Sequence, residues 1–424
     1  MVWFKKMPDN SKRRQKFFPA NVTFVTLKIP RTARRFLRLA GRLLNNAGRF
    51  LRESSPCKKL HAFFRDPRSL GPGLKRAGVL LVLGALFCCA SCTKDEAPQS
   101  PEVIKVGITI YRGDDTFIAS MVRHFEQIAG QFSEERDVVL SITVEDAKRN
   151  QTSQNKQVEN FLSRGYDVIC VNPVDRTMAN FIINMAEKAD TPVIFFNREP
   201  VESDMELWNK VYYVGADARE SADMMGQIVV EAFQKDPGLD KNQDQRLQYV
   251  MLEGEPTHQD SLIRTEESIK TITGSGIVLE KLASDTGEWQ RDIATAKMTP
   301  WLGEFGEQIE VVLSNNDDMA LGAIDALREE GMLENSPLVV GIDGTDVALE
   351  AIVQGTLYGS VVNDAYGQAK NVLELAYWLA QGKDPAGEIP ALSNKHIVVP
   401  YYIVTGENVK EEIEMRRQLE FDGE

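Results

Sequence analysis

The stretch GEPTHQDSLIRT, residues 254–265, puts His258, Asp260 and Arg264 within a few positions of one another, in a chain with only four histidines. A metal site, a catalytic site, a sugar site and a solvated loop could all be built from such residues. Related groups recur along the chain: Asp114-Asp115-Thr116-Phe117, Asn172, Asn197-Arg198, Asp285 to Trp289, Asn315-Asn316-Asp317, Asp343 and Asn363-Asp364. Carboxylates and amides offer paired oxygens and N–H donors, and arginine adds a rigid fork of donors. Sugar hydroxyls both donate and accept, so one such group can bridge two neighbouring hydroxyls. A pyranose also has apolar C–H faces, and Phe117 and Trp289 could close on the two faces of one ring.

The elements that carry these residues show one rhythm. Apolar runs at 103–111, 138–146, 166–173 and 191–200 alternate with segments of helical periodicity, for example apolar positions 117, 118, 121, 122, 125, 128 and 129. The alternation restarts with strands at 210–217, 246–254, 276–284, 309–317, 338–344 and 357–364, again separated by helical segments. Near-continuous apolar strands are what a buried parallel sheet demands. The expected fold is therefore α/β, two doubly wound parallel-sheet units of similar size. Ligands of such sheets sit beyond the carboxyl ends of the strands, where almost every strand here runs into Asp or Asn. A single Asx after a strand is a helix cap or a turn; a set of them beyond nearly all strands of both units exceeds what capping requires.

Two chemical rivals fit less well. Zinc takes three or four His, Cys or carboxylate ligands, and one histidine lies among these loops. A glycosidase needs two carboxylates across the scissile bond, and the set is rich in neutral amides with no clear acid/base pair. The body carries no nucleophile elbow, phosphate loop or CxxC pair.

The stretches GITIYRGDDTF (107–117), TPVIFFNREP (191–200), YYVGAD (212–217), LEGEPTHQDSLIRT (252–265), NNDDMALGAIDAL (315–327), VVGIDG (339–344) and VVNDAYGQAK (361–370) resemble the periplasmic galactose/glucose-binding proteins of ABC sugar uptake, type I two-lobed solute-binding proteins. The likeness runs from about 104 to 410. It implies lobes of 103–216 plus 364–397 and of 217–363 plus 398–420, joined by a multi-strand hinge. It also implies hexose contacts at Asp115, Asn197, His258, Asp260, Arg264, Asn316, Asp343 and Asn363, with Phe117 and Trp289 stacking on the ring. Arg198 stands where the family's best-known member has Lys. The implied protein is a monomer and not an enzyme. It would hand galactose or glucose to the membrane subunits of an ABC permease, or present its closed form to a chemoreceptor or sensor.

A second site is legible in DKNQDQRLQ (240–248). Asp240, Asn242, Asp244 and Gln248 fall at positions 1, 3, 5 and 9 of an EF-hand loop, with the Arg246 carbonyl at position 7. Position 12 is Met251, which cannot ligate; the family resemblance supplies Glu310 from a separate strand instead. Oxygen-only ligands favour Ca²⁺ over a transition metal. Gln245 stands where EF-hands have Gly, and a positive φ there would cost on the order of 1 kcal/mol.

The ends of the chain differ in charge. Residues 1–80 hold 20 Lys+Arg against Asp9, Glu53 and Asp66, a net +17; the remainder holds 29 basic and 59 acidic residues, −30, and the two sum to the overall −13. A body this acidic repels nucleic acid. Segment 74–92, LKRAGVLLVLGALFCCASC, reads as a lipoprotein-type signal peptide, with Cys92 as the lipidated first residue of an extracytoplasmic protein and 93–102 as a polar tether. Residues 1–73 form a basic extension, and translation is expected to start near Leu74 or Val79. A repressor with an N-terminal DNA-binding domain would share the two-lobed core, but the signal lies between the two parts. Only Cys170 of the five cysteines is in the body, which excludes a disulfide framework there.

Overall fold

The structure, a computed structural model, describes residues 101–421 apart from Asp137. The basic extension, the signal segment with Cys92 and most of the tether lie outside the described residues.

The first lobe follows the expected rhythm: β1 Glu102–Ile110, α1 Thr116–Glu135, β2 Val138–Asp146, α2 Gln151–Ser163, β3 Val168–Val171, α3 Ala179–Ala189, β4 Val193–Phe196, the short α4 Glu202–Met205 and β5 Val211–Gly215. The second repeats it: α5 Ala218–Lys235, β6 Leu247–Glu253, α6 Gln259–Gly274, β7 Leu279–Thr286, α7 Arg291–Phe305, β8 Val311–Ser314, α8 Asp317–Glu329, β9 Leu338–Asp343, α9 Asp346–Gln354 and β10 Gly359–Val362. The chain then returns through α10 Ala365–Ala380 and β11 His396–Val398, and crosses again into β12 Tyr402–Thr405 and α11 Val409–Phe421.

The sheets have matching orders, β11-β5-β4-β3-β1-β2 and β12-β10-β9-β8-β6-β7. Strands VICV and VIFF (β3, β4) are buried along their whole length because helices cover both faces. One sheet lies between the core around Met121, Phe125 and Leu373 and that around Phe161, Ile182 and Phe195. The other lies between the core around Met298, Met319 and Leu327 and that around Met225, Val229 and Ile272. Cys170 is fully buried in β3, where desolvation pushes its thiol pKa up and leaves it inert.

Two features differ from the sequence expectation. The edge strands β11 and β12 are three and four residues long and carry no periodic signal of their own. β12 also runs antiparallel to β10, so the second sheet is not wholly parallel.

Candidate functional site

The strand ends of both lobes converge on one cleft, and the lobes are closed over it. Thr116 donates to Asp318 at 2.6 Å, Arg198 pairs with Glu255 at 3.0 Å, and Arg149 Nη2 donates to the Glu288 carbonyl at 3.3 Å, each a contact between lobes. A cavity lies inside. All ten residues singled out for a sugar line it, together with Tyr111, Ile118 and Arg198.

Capping fixes several of these side chains. Asp115 caps α1 through Ile118 N (2.9 Å) and accepts a 2.5 Å bond from the Tyr111 hydroxyl. Asn316 caps α8 by accepting from Met319 N at 3.0 Å, which leaves its amide N–H groups for the cavity. His258 caps α6 by accepting from Asp260 N at Nδ1, 3.1 Å, so its proton resides on Nε2. Burial, then Arg198 and Arg264, hold the His258 pKa well below the usual imidazole range, so the ring is a neutral donor. In these cases the cap and the cavity wall are one residue, which is why a capping argument alone could not separate them.

A second layer sets the rest. Arg264 donates from Nη1 to the Asn315 carbonyl (2.9 Å) and from Nη2 to the Tyr401 hydroxyl (3.0 Å). Its Nε is buried without a partner, and so is the Trp289 indole N–H. The Asn363 amide oxygen accepts from Gln368 at 2.5 Å, which frees its NH₂ as a donor. Asp343 lies 3.9 Å from the nearest guanidinium nitrogen, and burial drives its pKa well up; burial also raises that of Asp260. The cavity thus holds carboxylate acceptors beside amide, imidazole and guanidinium donors.

Three of the cavity residues carry an unusual backbone. Asn197 (φ 61°), Trp289 (φ 63°) and Asp343 (φ 119°) all have positive φ. Asparagine tolerates this; Trp and Asp cost on the order of 1–3 kcal/mol unless their surroundings hold them. For Trp289 the support is Gly254, where a Cβ would collide with the indole. For Asp343 it is Asp317, fully buried behind the site. Its carboxylate accepts from Ser360 Oγ (2.7 Å) and Thr345 N (2.8 Å), and Ser360 Oγ accepts from Gly344 N (3.1 Å). Burial pushes the Asp317 pKa up to about 7. Ser360, Gln368 and Tyr401 were not singled out from sequence: as a strand Ser, a helix Gln and a Tyr in an apolar run, they carry no pattern that marks them; Asp317 stood among the residues beyond the strands, but not as a sugar contact.

The loop 240–248 gathers its candidate ligands as well. The Asp240 carboxylate accepts from Asp244 N (3.1 Å) and Gln245 N (2.8 Å); Asn242 Oδ1 accepts from Asp244 N (2.8 Å). Gln248 Nε2 donates to Asp244 (2.8 Å), and the carboxylate of Glu310 accepts from Lys241 N (2.6 Å) and Gln248 N (2.9 Å). Gln245 has the positive φ its position requires, 67°. Glu310 is buried, while the Lys241 ammonium beside it donates to the carbonyls of Ile309 and Asn335. Burial raises the pKa of Glu310, and the nearby Asp240 adds to the effect. Among the described residues no three His, Cys, Asp or Glu side chains form a metal-holding group by themselves. A cation here would depend on the amide oxygens of Asn242 and Gln248 and the Arg246 carbonyl as well.

Comparison with known proteins agrees with this architecture. The family described as periplasmic binding protein domain matches residues 106–384. The D-galactose/methyl-galactoside binding periplasmic protein of Haemophilus influenzae is 34% identical over 340 residues, 79% of this chain and 98% of the relative. A putative rhizopine-binding protein of Rhizobium meliloti is 32% identical over 64% of this chain and 82% of its own length. An ABC transporter solute-binding protein of Bacillus halodurans, solved with bound myo-inositol, has a TM-score of 0.62 and 31% identity, covering 74% of this chain and 99% of that one.

Proposed function

Because the chain belongs to the periplasmic binding protein family, we propose that it captures a hexose, galactose or glucose, in the interlobe cleft outside the cytoplasm and delivers it to an ABC permease. It is a binding protein, not an enzyme. One observation carries the ligand reading: ten side chains from widely separated strand ends, two of them flat rings from opposite lobes, line a single closed cavity. Asp115, Asp260 and Asp343 accept from hydroxyls; Asn197, Asn316, Asn363, His258 Nε2 and Arg264 donate; Phe117 and Trp289 cover the ring faces. Sugar favours the closed state because the Asp115–Phe117 wall and the Trp289–Asp343 wall reach it together only there.

We also infer that the 240–248 loop with Glu310 holds Ca²⁺ as a structural ion. The support is the buried Glu310 carboxylate facing Asp240 with no cationic side chain bonded to it. The ion would supply positive charge that ties the loop before β6 to the strand at Val311.

Calorimetric titration of the full-length protein with glucose, galactose, ribose and arabinose tests the hexose assignment. Heat with either hexose, and weaker or no heat with the pentoses, is expected; no heat with both hexoses refutes it.

A further inference from the structure

We propose that the cleft takes a hexose carrying a second polyhydroxylated unit, a disaccharide, with the second unit lodged in a side chamber next to the hexose site. The inference rests on the hexose reading and extends it. The chamber is more spacious than the primary cavity. The two adjoin, because Arg198, His258 and Asp260 line both. A substituent on the sugar edge facing these three side chains is therefore directed at the chamber.

The chemistry of the chamber selects among substituents. Its lobe-one wall is the loop after β3, Val174 to Thr177, with Glu199; its lobe-two wall is Thr257 to Asp260. Val174 is the one aliphatic residue among the lining side chains, which disfavours a hydrophobic aglycone. Arg176 and Arg198 face Asp175, Glu199 and Asp260, so there is no cationic excess to hold a phosphate. Mixed donors and acceptors are what a neutral polyol needs. The Arg176 guanidinium is already oriented: Nε donates to the Glu199 carbonyl at 2.6 Å and Nη2 to that of Pro200 at 3.2 Å, while Nη1 takes part in neither bond. Arg198 is fixed by stacking on Tyr111 at 3.6 Å and by its ion pair with Glu255. The chamber is thus lined by groups held in place on both lobes.

The test is calorimetry on the full-length protein with galactose, glucose, lactose, melibiose, cellobiose and gentiobiose. At least one disaccharide is expected to bind within ten-fold of its tighter-binding component hexose. Thr177→Trp, at an exposed position on the chamber wall, should weaken that disaccharide ten-fold or more and leave the monosaccharides within two-fold. If monosaccharides bind and no disaccharide does, or if Thr177→Trp weakens both classes equally, the chamber is only a solvent-filled mouth and the proposal falls. Failure of the monosaccharides as well would instead overturn the hexose reading beneath it.

Discussion

The two lobes share a sheet order but divide the cleft unequally. Lobe one contributes Asp115, Phe117 and Asn197 of the ten candidate contacts; lobe two contributes His258, Asp260, Arg264, Trp289, Asn316, Asp343 and Asn363. The strain is uneven too: Trp289 and Asp343, both in lobe two, are the positive-φ contacts that are not asparagine. Near-identical scaffolds have thus been specialised, one as the pre-shaped seat and the other as the cover. A ligand that met lobe two first would already find most of its partners, and closure would add the rest.

The largest effects should therefore come from the seat. Asp343→Ala and Trp289→Ala are each expected to lower hexose affinity ten-fold or more, about 1.4 kcal/mol or above, with melting temperatures near that of the native chain. If Phe117→Ala costs as much as either, the division fails. Phe117→Ala should instead leave weak binding in place while sugar no longer compacts the molecule in small-angle scattering.

The next effect concerns calcium. At a concentration 100 times the dissociation constant, an ion bound only to the folded state adds about 2.7 kcal/mol. EGTA should then lower the melting temperature of lobe two by about 5–10 °C, and Glu310→Gln should abolish that response. A protein indifferent to EGTA would sink the ion reading.

Asp317 sharpens the contrast within lobe two. Its folded-state pKa of about 7 lies above the ordinary Asp value of 3.8. The native state therefore holds a proton that the unfolded state has released, and stability falls as pH rises from about 4 to 7. Asp317→Asn should remove this dependence, so its stability relative to the native chain improves across that window. It should also weaken hexose binding several-fold, because the Asp343–Thr345 turn loses its anchor. An unchanged affinity would show that Asp343 holds its geometry without help. The smallest effect lies in lobe one, where Glu199 raises the pKa of His396, 3.2 Å away. This pair is half exposed and contributes at most about 1 kcal/mol. It is present below pH about 6.5 and lost as pH rises through the raised His396 value. His396→Gln should flatten that slope in denaturation at pH 6 and 8.

Much of this was legible in the chain because one geometric rule connects sequence to site: ligands gather beyond the carboxyl ends of parallel strands. His258, Asp260, Arg264 and the Asx residues could be listed on that rule alone, and the family resemblance chose among them. The second layer could not be read. Asp317 is indistinguishable from the helix-start Asp318 beside it until its burial against Ser360 is known. Gln368 follows Asn363 by five residues, but only the turn into α10 shows that its amide reaches back to it. The strain at Asp343 is a property of φ, which only the folded turn reveals. The side chamber arises from two loops, 174–177 and 257–260, one from each lobe.

The edge strands carry one further consequence. β11 and β12 follow every other strand in the chain, yet each completes a sheet begun far earlier, β11 on β5 and β12 on β10. Neither lobe can finish its fold until these late strands have been made, and such long-separation pairing is intrinsically slow. For a protein destined for the far side of a membrane, that delay prolongs the interval in which the export machinery still meets a threadable polypeptide.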